Sequence, residues 1–113
     1  MQIEIEPRER DIAVVQIAGR LDFLSAGAAR DEFARVVQDG KHRIVVDLGD
    51  VPFIDSSGLG SLIGGLKAAR QAGGDLRIAR PTEQARSVLK LTSLDRVFRA
   101  HETIDEALDA YRS

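Results

Sequence analysis

Apolar and polar positions alternate at the start of the chain, where Ile3 and Ile5 stand between Gln2, Glu4 and Glu6. A period of two is that of a strand with one face on a core. After a polar turn from Pro7 to Asp11 comes the nearly continuous run Ile12-Ala13-Val14-Val15-Gln16-Ile17-Ala18. The pair predicts a hairpin, an edge strand followed by a more buried one, with Gly19 as its end. From about Leu24 the period lengthens. Ala26, Ala29, Phe33, Val36 and Val37 fall on one helical face with acids and arginines opposite, and Gly40 supplies the stop.

Ile44-Val45-Val46-Asp47-Leu48 is short, β-branched and almost wholly apolar, as a central strand covered on both faces must be. Leu59, Leu62, Ile63 and Leu66 form the stripe of a second helix, which Ala72-Gly73-Gly74 closes before a strand at Leu76-Arg77-Ile78-Ala79. Pro81-Thr82 opens a third helix carrying Ala85, Val88 and Leu89, and a short strand is expected around Val97-Phe98. Thr103 and Glu106 form a capping-box pattern ahead of Ile104, Ala107, Leu108 and Tyr111, an i, i+3, i+4, i+7 face. The expected class is α/β: a mixed, mostly parallel sheet with an N-terminal hairpin and four helices, in the order ββαβαβαβα.

Composition narrows the function. A chain of 113 residues can bury one core but not two ordinary domains, so residues 1–113 are read as one unit. The sequence is 43% hydrophobic with a mean hydropathy of -0.15, and no apolar run approaches the roughly 18 residues that span a bilayer. The charged, alternating first ten residues lack the apolar stretch of a signal peptide, which makes a cytoplasmic protein the expectation. Without cysteine there is no disulfide, thiolate metal site or thiol chemistry. His42 and His101 are too isolated to suggest a metal centre. A net charge of -2, with cations scattered among acids and only 4% aromatic residues, argues against direct nucleic-acid binding. With the apolar faces accounted for by one core, a monomer is expected.

One stretch exceeds what a generic α/β pattern requires: Val51-Pro52-Phe53-Ile54-Asp55-Ser56-Ser57-Gly58-Leu59-Gly60, between the central strand and the second helix. Hydroxyls at the start of a helix face unpaired backbone N–H groups and the positive end of its dipole, where negative charge is favoured. Asp55, Ser56 or Ser57 can simply cap the helix. If one serine caps, the other is free to point outward as an acceptor for a phosphoryl group. Gly58 and Gly60 fit either close helix-to-sheet packing or the approach of another protein's backbone. Gly64 and Gly65 each cost about 1 kcal/mol relative to Ala in a helix interior, so packing or contact must require them.

Asp55-Ser56-Ser57-Gly58-Leu59-Gly60, preceded by Val45-Val46-Asp47-Leu48, resembles the signature of the STAS family, above all its bacterial anti-sigma factor antagonists. Gly19-Arg20-Leu21-Asp22, Gly73-Gly74 and Leu91-Thr92-Ser93-Leu94-Asp95-Arg96-Val97-Phe98 fall in register with further landmarks, so the resemblance spans nearly the whole chain. It implies a phosphorylated serine at Ser56, with Ser57 its neighbour, and an acidic residue that engages a kinase at Asp22. Asp22 can equally be a turn or cap residue. The implied partner surface comprises Asp22, Asp55, Ser56, Ser57, Gly58, Leu59 and Gly60. The implied partners are an anti-sigma factor that is also a serine protein kinase, and a metal-dependent serine phosphatase. ATP and metal would belong to those partners, leaving this chain without a cofactor or catalytic residue of its own.

Rival readings fit less well. The hydrolase elbow Gly-x-Ser-x-Gly is not met, since Ile54 and Asp55 stand two residues before Ser56 and Ser57. Gly58, Gly60 and Gly64 have the wrong spacing for a dinucleotide fingerprint, and no phosphate-loop motif occurs. The paired acids of an aspartate-phosphorylated receiver are missing, because the relevant strand leaves through Ala18-Gly19-Arg20. A STAS scaffold or regulatory subunit in a larger signalling or lipid-transport complex remains the alternative that keeps the fold and changes the biology.

Overall fold

The computed structural model describes residues 1–112. Strands β1 (Gln2–Pro7) and β2 (Ile12–Ala18) form the N-terminal hairpin, followed by α1 (Ala26–Gln38), β3 (Arg43–Asp50), α2 (Ser56–Gln71), β4 (Asp75–Ala79), α3 (Glu83–Leu91), β5 (Ala100–His101) and α4 (Ile104–Arg112). The strands lie side by side in chain order, β1 antiparallel to β2 and each later pair parallel. The expected class and element order are thus present.

The two faces of the sheet are unequal. Val15 and Ile17 of β2, Ile44, Val46 and Leu48 of β3, and Leu76 and Ile78 of β4 point into the larger core, against Phe33 and Val36 of α1, Leu59, Leu62 and Leu66 of α2, and Leu89 of α3. On the other face Ile12, Val14, Val45 and Ala79 meet Ala107, Leu108 and Tyr111 of α4. The middle of β3, residues 44–48, is therefore apolar apart from Asp47 because both of its faces are covered. The buried Tyr111 hydroxyl donates to the Ile44 carbonyl at 2.7 Å, and the Arg77 guanidinium lies 4.5 Å from the ring centre. Burial pushes the phenol well above its ordinary pKa.

The buried acid of this sheet is Asp47, 3% exposed. A lone buried carboxylate is costly, so it must be fully partnered. Arg80 Nε and Nη2 donate to its two oxygens at 2.9 and 2.8 Å, and the Gly49 N–H donates at 2.9 Å. Arg80 reaches it from a left-handed backbone conformation (φ +52°), and its guanidinium rests against Gly49, where a Cβ would sit 2.4 Å from Arg80 Cζ. Gly49 is small because Arg80 occupies the space a side chain would take.

Two boundaries differ from the sequence expectation. No strand forms at Val97-Phe98. Leu94–Arg96 is a 3-10 turn entered through left-handed Ser93. Phe98, 2% exposed, anchors in the core with its N–H bonded to the Leu94 carbonyl, so pairing with β4 begins only where Ile78 N–H reaches the Arg99 carbonyl. The bulky apolar residue that suggested a strand is the plug before it. α1 also starts later than Leu24, because Asp22 and Ser25 hold residues 22–25 in a bonded turn. At the fourth helix Thr103 Oγ1 accepts from Glu106 N–H at 3.0 Å, and the Glu106 carboxylate accepts from Glu102 N–H at 3.3 Å, one residue before the position a regular capping box uses.

The adjacent glycines of α2 have different causes. A Cβ on Gly65 would lie 2.8 Å from the Phe33 ring and 3.0 Å from Leu76, whereas one on Gly64 would meet only Arg30, at 3.5 Å or more. Gly65→Ala is expected to lose about 1–2 kcal/mol, overpacking outweighing helix propensity, while Gly64→Ala gains up to about 1 kcal/mol. Urea unfolding of the two variants beside the wild type reads this difference, and equal effects would contradict it.

Candidate functional site

The site is built where the chain leaves the C-terminal ends of β2 and β3. Gly19, in a conformation (φ +101°) that favours glycine, turns the chain out of β2 and donates its N–H to the Asp50 carbonyl at 2.9 Å. The two exit loops then stay paired: Leu21 N–H donates to the Phe53 carbonyl at 3.0 Å, and Asp55 N–H donates to the Leu21 carbonyl at 3.3 Å. From the other side Gln84 of α3 satisfies both backbone groups of Ile54, accepting from its N–H and donating to its carbonyl, each at 2.9 Å. Nothing in the local sequence marks Gln84 for this role, since its partner lies thirty residues away.

Asp55 is the cap of α2. Its Oδ1 accepts from Gly58 N–H at 2.9 Å, while Oδ2 accepts from Phe23 N–H in the opposite loop at 3.1 Å. The cap is thus neither serine. Ser56 and Ser57 occupy the first turn of α2, Ser56 exposed and Ser57 half-buried, and neither hydroxyl hydrogen-bonds within the described residues.

Asp22 organises the other loop. Its Oδ1 accepts from Leu24 N–H at 3.0 Å and Oδ2 from Arg20 Nε at 3.3 Å, while the Ser25 hydroxyl accepts from Asp22 N–H and donates to the Arg20 carbonyl. Burial pushes the Asp22 carboxyl up, but the bonds from Arg20 and Leu24 outweigh it and hold the group below the usual carboxylate range. Arg20, to which the sequence assigned no role, also stacks its guanidinium 4.2 Å from the centre of the Phe53 ring. The Asp22 carboxylate is therefore a turn residue in this structure, and it remains partly open to solvent.

The residues singled out in the sequence fall into three layers. Asp22, Ser56, Ser57 and Gly60 reach the surface, and Asp55 lies half-buried between the loops. Gly58 and Leu59 are buried beneath them. A Cβ on Gly58 would sit 2.1 Å from the Leu21 carbonyl oxygen, so this glycine lets α2 press against the neighbouring loop and offers no surface to another protein. Gly60 is different. It borders a shallow groove of about 410 Å³ between α1 and α2, lined by Phe23, Ala26, Gly27, Arg30, Ser56 and Ser57. Phe23, 77% exposed, stands in this groove, and the adjacent Leu24, 89% exposed, lines a neighbouring hollow with Arg20, Asp22 and Ser25. Such exposure of large apolar side chains beside a polar site marks contact surfaces, a signal available in the sequence only as two apolar residues off the helical stripe.

Among the described residues, no group of three histidines or acids is placed to hold a metal ion, and no helix is long and apolar enough to cross a membrane. A model of the STAS domain matches residues 2–107. The chain belongs to the STAS domain family. A Thermotoga maritima protein named as a candidate anti-sigma factor antagonist is 38% identical over 82 residues, 73% of this chain and 70% of that protein. The anti-sigma-B factor antagonist of Bacillus subtilis is 30% identical over 94 residues, 83% of this chain and 84% of its own. The crystal structure of a candidate antagonist from Thermotoga maritima superposes with a TM-score of 0.92 at 28% identity, covering 98% of this chain and 95% of the other. This STAS domain therefore groups with regulatory relatives, and the landmarks from Gly19 to Phe98 that suggested the family lie within the matched residues.

Asp55 carries two separable duties. Asp55→Ala should remove the cap and the bond to Phe23, costing about 1–2 kcal/mol in urea unfolding. Asp55→Asn can keep the cap through its amide oxygen but cannot also accept from Phe23 N–H with the amide nitrogen. Amide exchange at Phe23 should accelerate in both variants, with global stability falling mainly in Asp55→Ala. An unchanged Phe23 exchange rate in Asp55→Ala would refute the bridging role.

Proposed function

We propose that this STAS domain is an anti-sigma factor antagonist that works by partner switching, with Ser56 as its phosphoryl acceptor. The observation that carries the assignment is the division of labour at the start of α2. Asp55 takes the capping duty, so the exposed Ser56 hydroxyl is left with no structural partner among the described residues. Ser57 is less accessible. Dephosphorylated, the surface formed by Ser56, Ser57, Gly60, the Asp22 loop and the apolar rim of Phe23 and Leu24 docks onto an anti-sigma factor and frees the sigma factor it holds.

In this proposal the anti-sigma factor is a serine protein kinase. Ser56 Oγ attacks the γ-phosphorus of ATP bound to that partner, the bond to ADP breaks, and the serine proton passes to a base on the kinase. A metal-dependent phosphatase returns the serine by water attack on phosphorus, releasing inorganic phosphate. ATP and metal stay with those proteins, and this chain acts as a cytoplasmic monomer. A phosphate adds about -1.5 to -2 charges at pH 7 in the centre of the contact surface, where burial without a matching cation is costly. A loss of about 2.7 kcal/mol suffices to weaken binding roughly 100-fold.

The test compares wild-type, Ser56→Ala and Ser56→Asp proteins as bait in lysate of the source organism, followed by titration calorimetry with the recovered partner. An ATP-binding serine kinase should bind the first two alike and Ser56→Asp on the order of 100-fold more weakly. Equal affinity for all three would remove Ser56 as the switch and favour a constitutive scaffold. Phosphopeptide mapping after incubation with that kinase should place the phosphate on Ser56, and a phosphate on Ser57 would overturn the assignment.

A further inference from the structure

We propose that Arg30 receives the phosphate of phosphorylated Ser56 within the same molecule, closing the groove between α1 and α2. The inference rests on Ser56 as the acceptor and adds what happens to the phosphate once it is there.

The side chain of Arg30 crosses from α1 and lies along the glycine flank of α2, and its direction can be read from what it passes. Its Cγ, Cδ and Nε lie 3.7, 3.8 and 3.5 Å from where a Cβ of Gly64 would be, and its Nη2 lies 3.7 Å from where a Cβ of Gly60 would be. The stem therefore runs one helical turn toward the start of α2 and ends with the guanidinium beside Gly60. Ser56 is one further turn along. Residues four apart on a helix share a face with Cβ positions about 5–6 Å apart. Ser56 and Arg30 line the same groove, and a phosphoryl group lengthens the Ser56 side chain by two bonds, which brings its oxygens within reach of the long, flexible Arg30 side chain.

Other features agree. Arg30 has no ion pair or side-chain hydrogen bond among the described residues, so it gives up no partner in turning to a phosphate. Arg35 on the same helix is engaged by Glu32, and Arg20 on the neighbouring loop by Asp22 and Phe53. Arg30 lies at ordinary van der Waals distance from the Gly60 and Gly64 positions, so its stem rests along α2 without strain. A guanidinium matches phosphate with a planar fork of donors, so the pair can be bidentate. Once formed, it spans the groove lined by Phe23, Ala26, Gly27 and Gly60. Phosphorylation then obstructs the docking surface physically as well as charging it.

The test needs no kinase. Phosphoserine is installed at position 56 during translation, and its second ionisation, ordinarily near pKa 6, is followed by phosphorus NMR against pH. Four backgrounds are compared: wild type, Arg30→Gln, Arg30→Lys, and Lys90→Gln, which removes an equal charge from α3. The helix terminus acts on all four alike, so differences isolate the side chains. Arg30→Gln should raise the phosphoserine pKa by about half a unit, a roughly threefold change in proton affinity. Arg30→Lys should restore part of the wild-type value, Lys90→Gln should leave it unchanged, and added salt should shrink the Arg30 effect. The Arg30 Nε–H resonance should also move downfield in the phosphorylated wild type. Identical titrations for wild type and Arg30→Gln, or an equal shift in Lys90→Gln, would overturn the proposal while leaving the acceptor assignment to the phosphopeptide map.

Discussion

The site depends on the Asp55 carboxylate, whose two oxygens hold two segments that are distant in sequence. Hydrogen bonds to an ionised carboxylate are shorter and stronger than neutral ones, so a single residue can fix both the first turn of α2 and the loop before α1. Gly58 N–H supplies one donor and Phe23 N–H the other. Had a serine capped the helix, its hydroxyl would have been committed to the backbone, and modifying it would have broken the cap. Because an acid does this work from outside the helix, the hydroxyls that follow are chemically free.

The surrounding packing serves the same junction. Gly58 allows α2 to approach the Leu21 carbonyl more closely than any residue with a Cβ could, and the paired loops supply the donors and acceptors that regular strands have stopped providing. Gln84 closes the accounts of Ile54 from α3, and Asp47 with Arg80 secures the end of β3 just before the loop departs. Only the carboxylate of this pair is buried, the Arg80 side chain remaining partly exposed, so removing Arg80 would strand a buried charge and the pair holds one arrangement against alternatives.

Most of the architecture was legible in the sequence because burial imposes period. The alternation at Ile3 and Ile5, the continuous run in β3 and the stripes of α1, α2 and α4 report which side of each element meets a core. The signal failed where one large side chain outweighed the local pattern. Phe98 looked like part of a strand and proved to be an anchor at the end of a 3-10 turn, with pairing delayed to Ala100. At the site, the sequence located the segment and its exposed hydroxyls but not the identity of the cap. Asp and Ser are both good caps, and it is the bond from Gly58 N–H to the Asp55 carboxylate that identifies Asp55 as the cap. The parts of Gln84 and Arg80 were invisible for a different reason: each acts on a residue thirty or more positions away, and no local period encodes that.

A switch built on such a junction differs in kind from one that melts an element. When modification disturbs a cap, part of its free energy is spent on the stability of the modified protein, and the effect on a partner is diluted by partial unfolding. Here the hydroxyl proposed to be modified carries no structural bond, and the helix terminus beneath it favours negative charge. The native state is therefore left nearly as stable as before, so the cost of the phosphate falls on the complex. A ligand equilibrium moves only by the difference in affinity between two states, and this arrangement places nearly all of that difference at the interface. The same reasoning explains why a rigid support is required. If the Asp22 loop could retreat from α2, the surface would relax around the phosphate and return part of the lost affinity; the Asp55 bridge to Phe23 prevents that retreat.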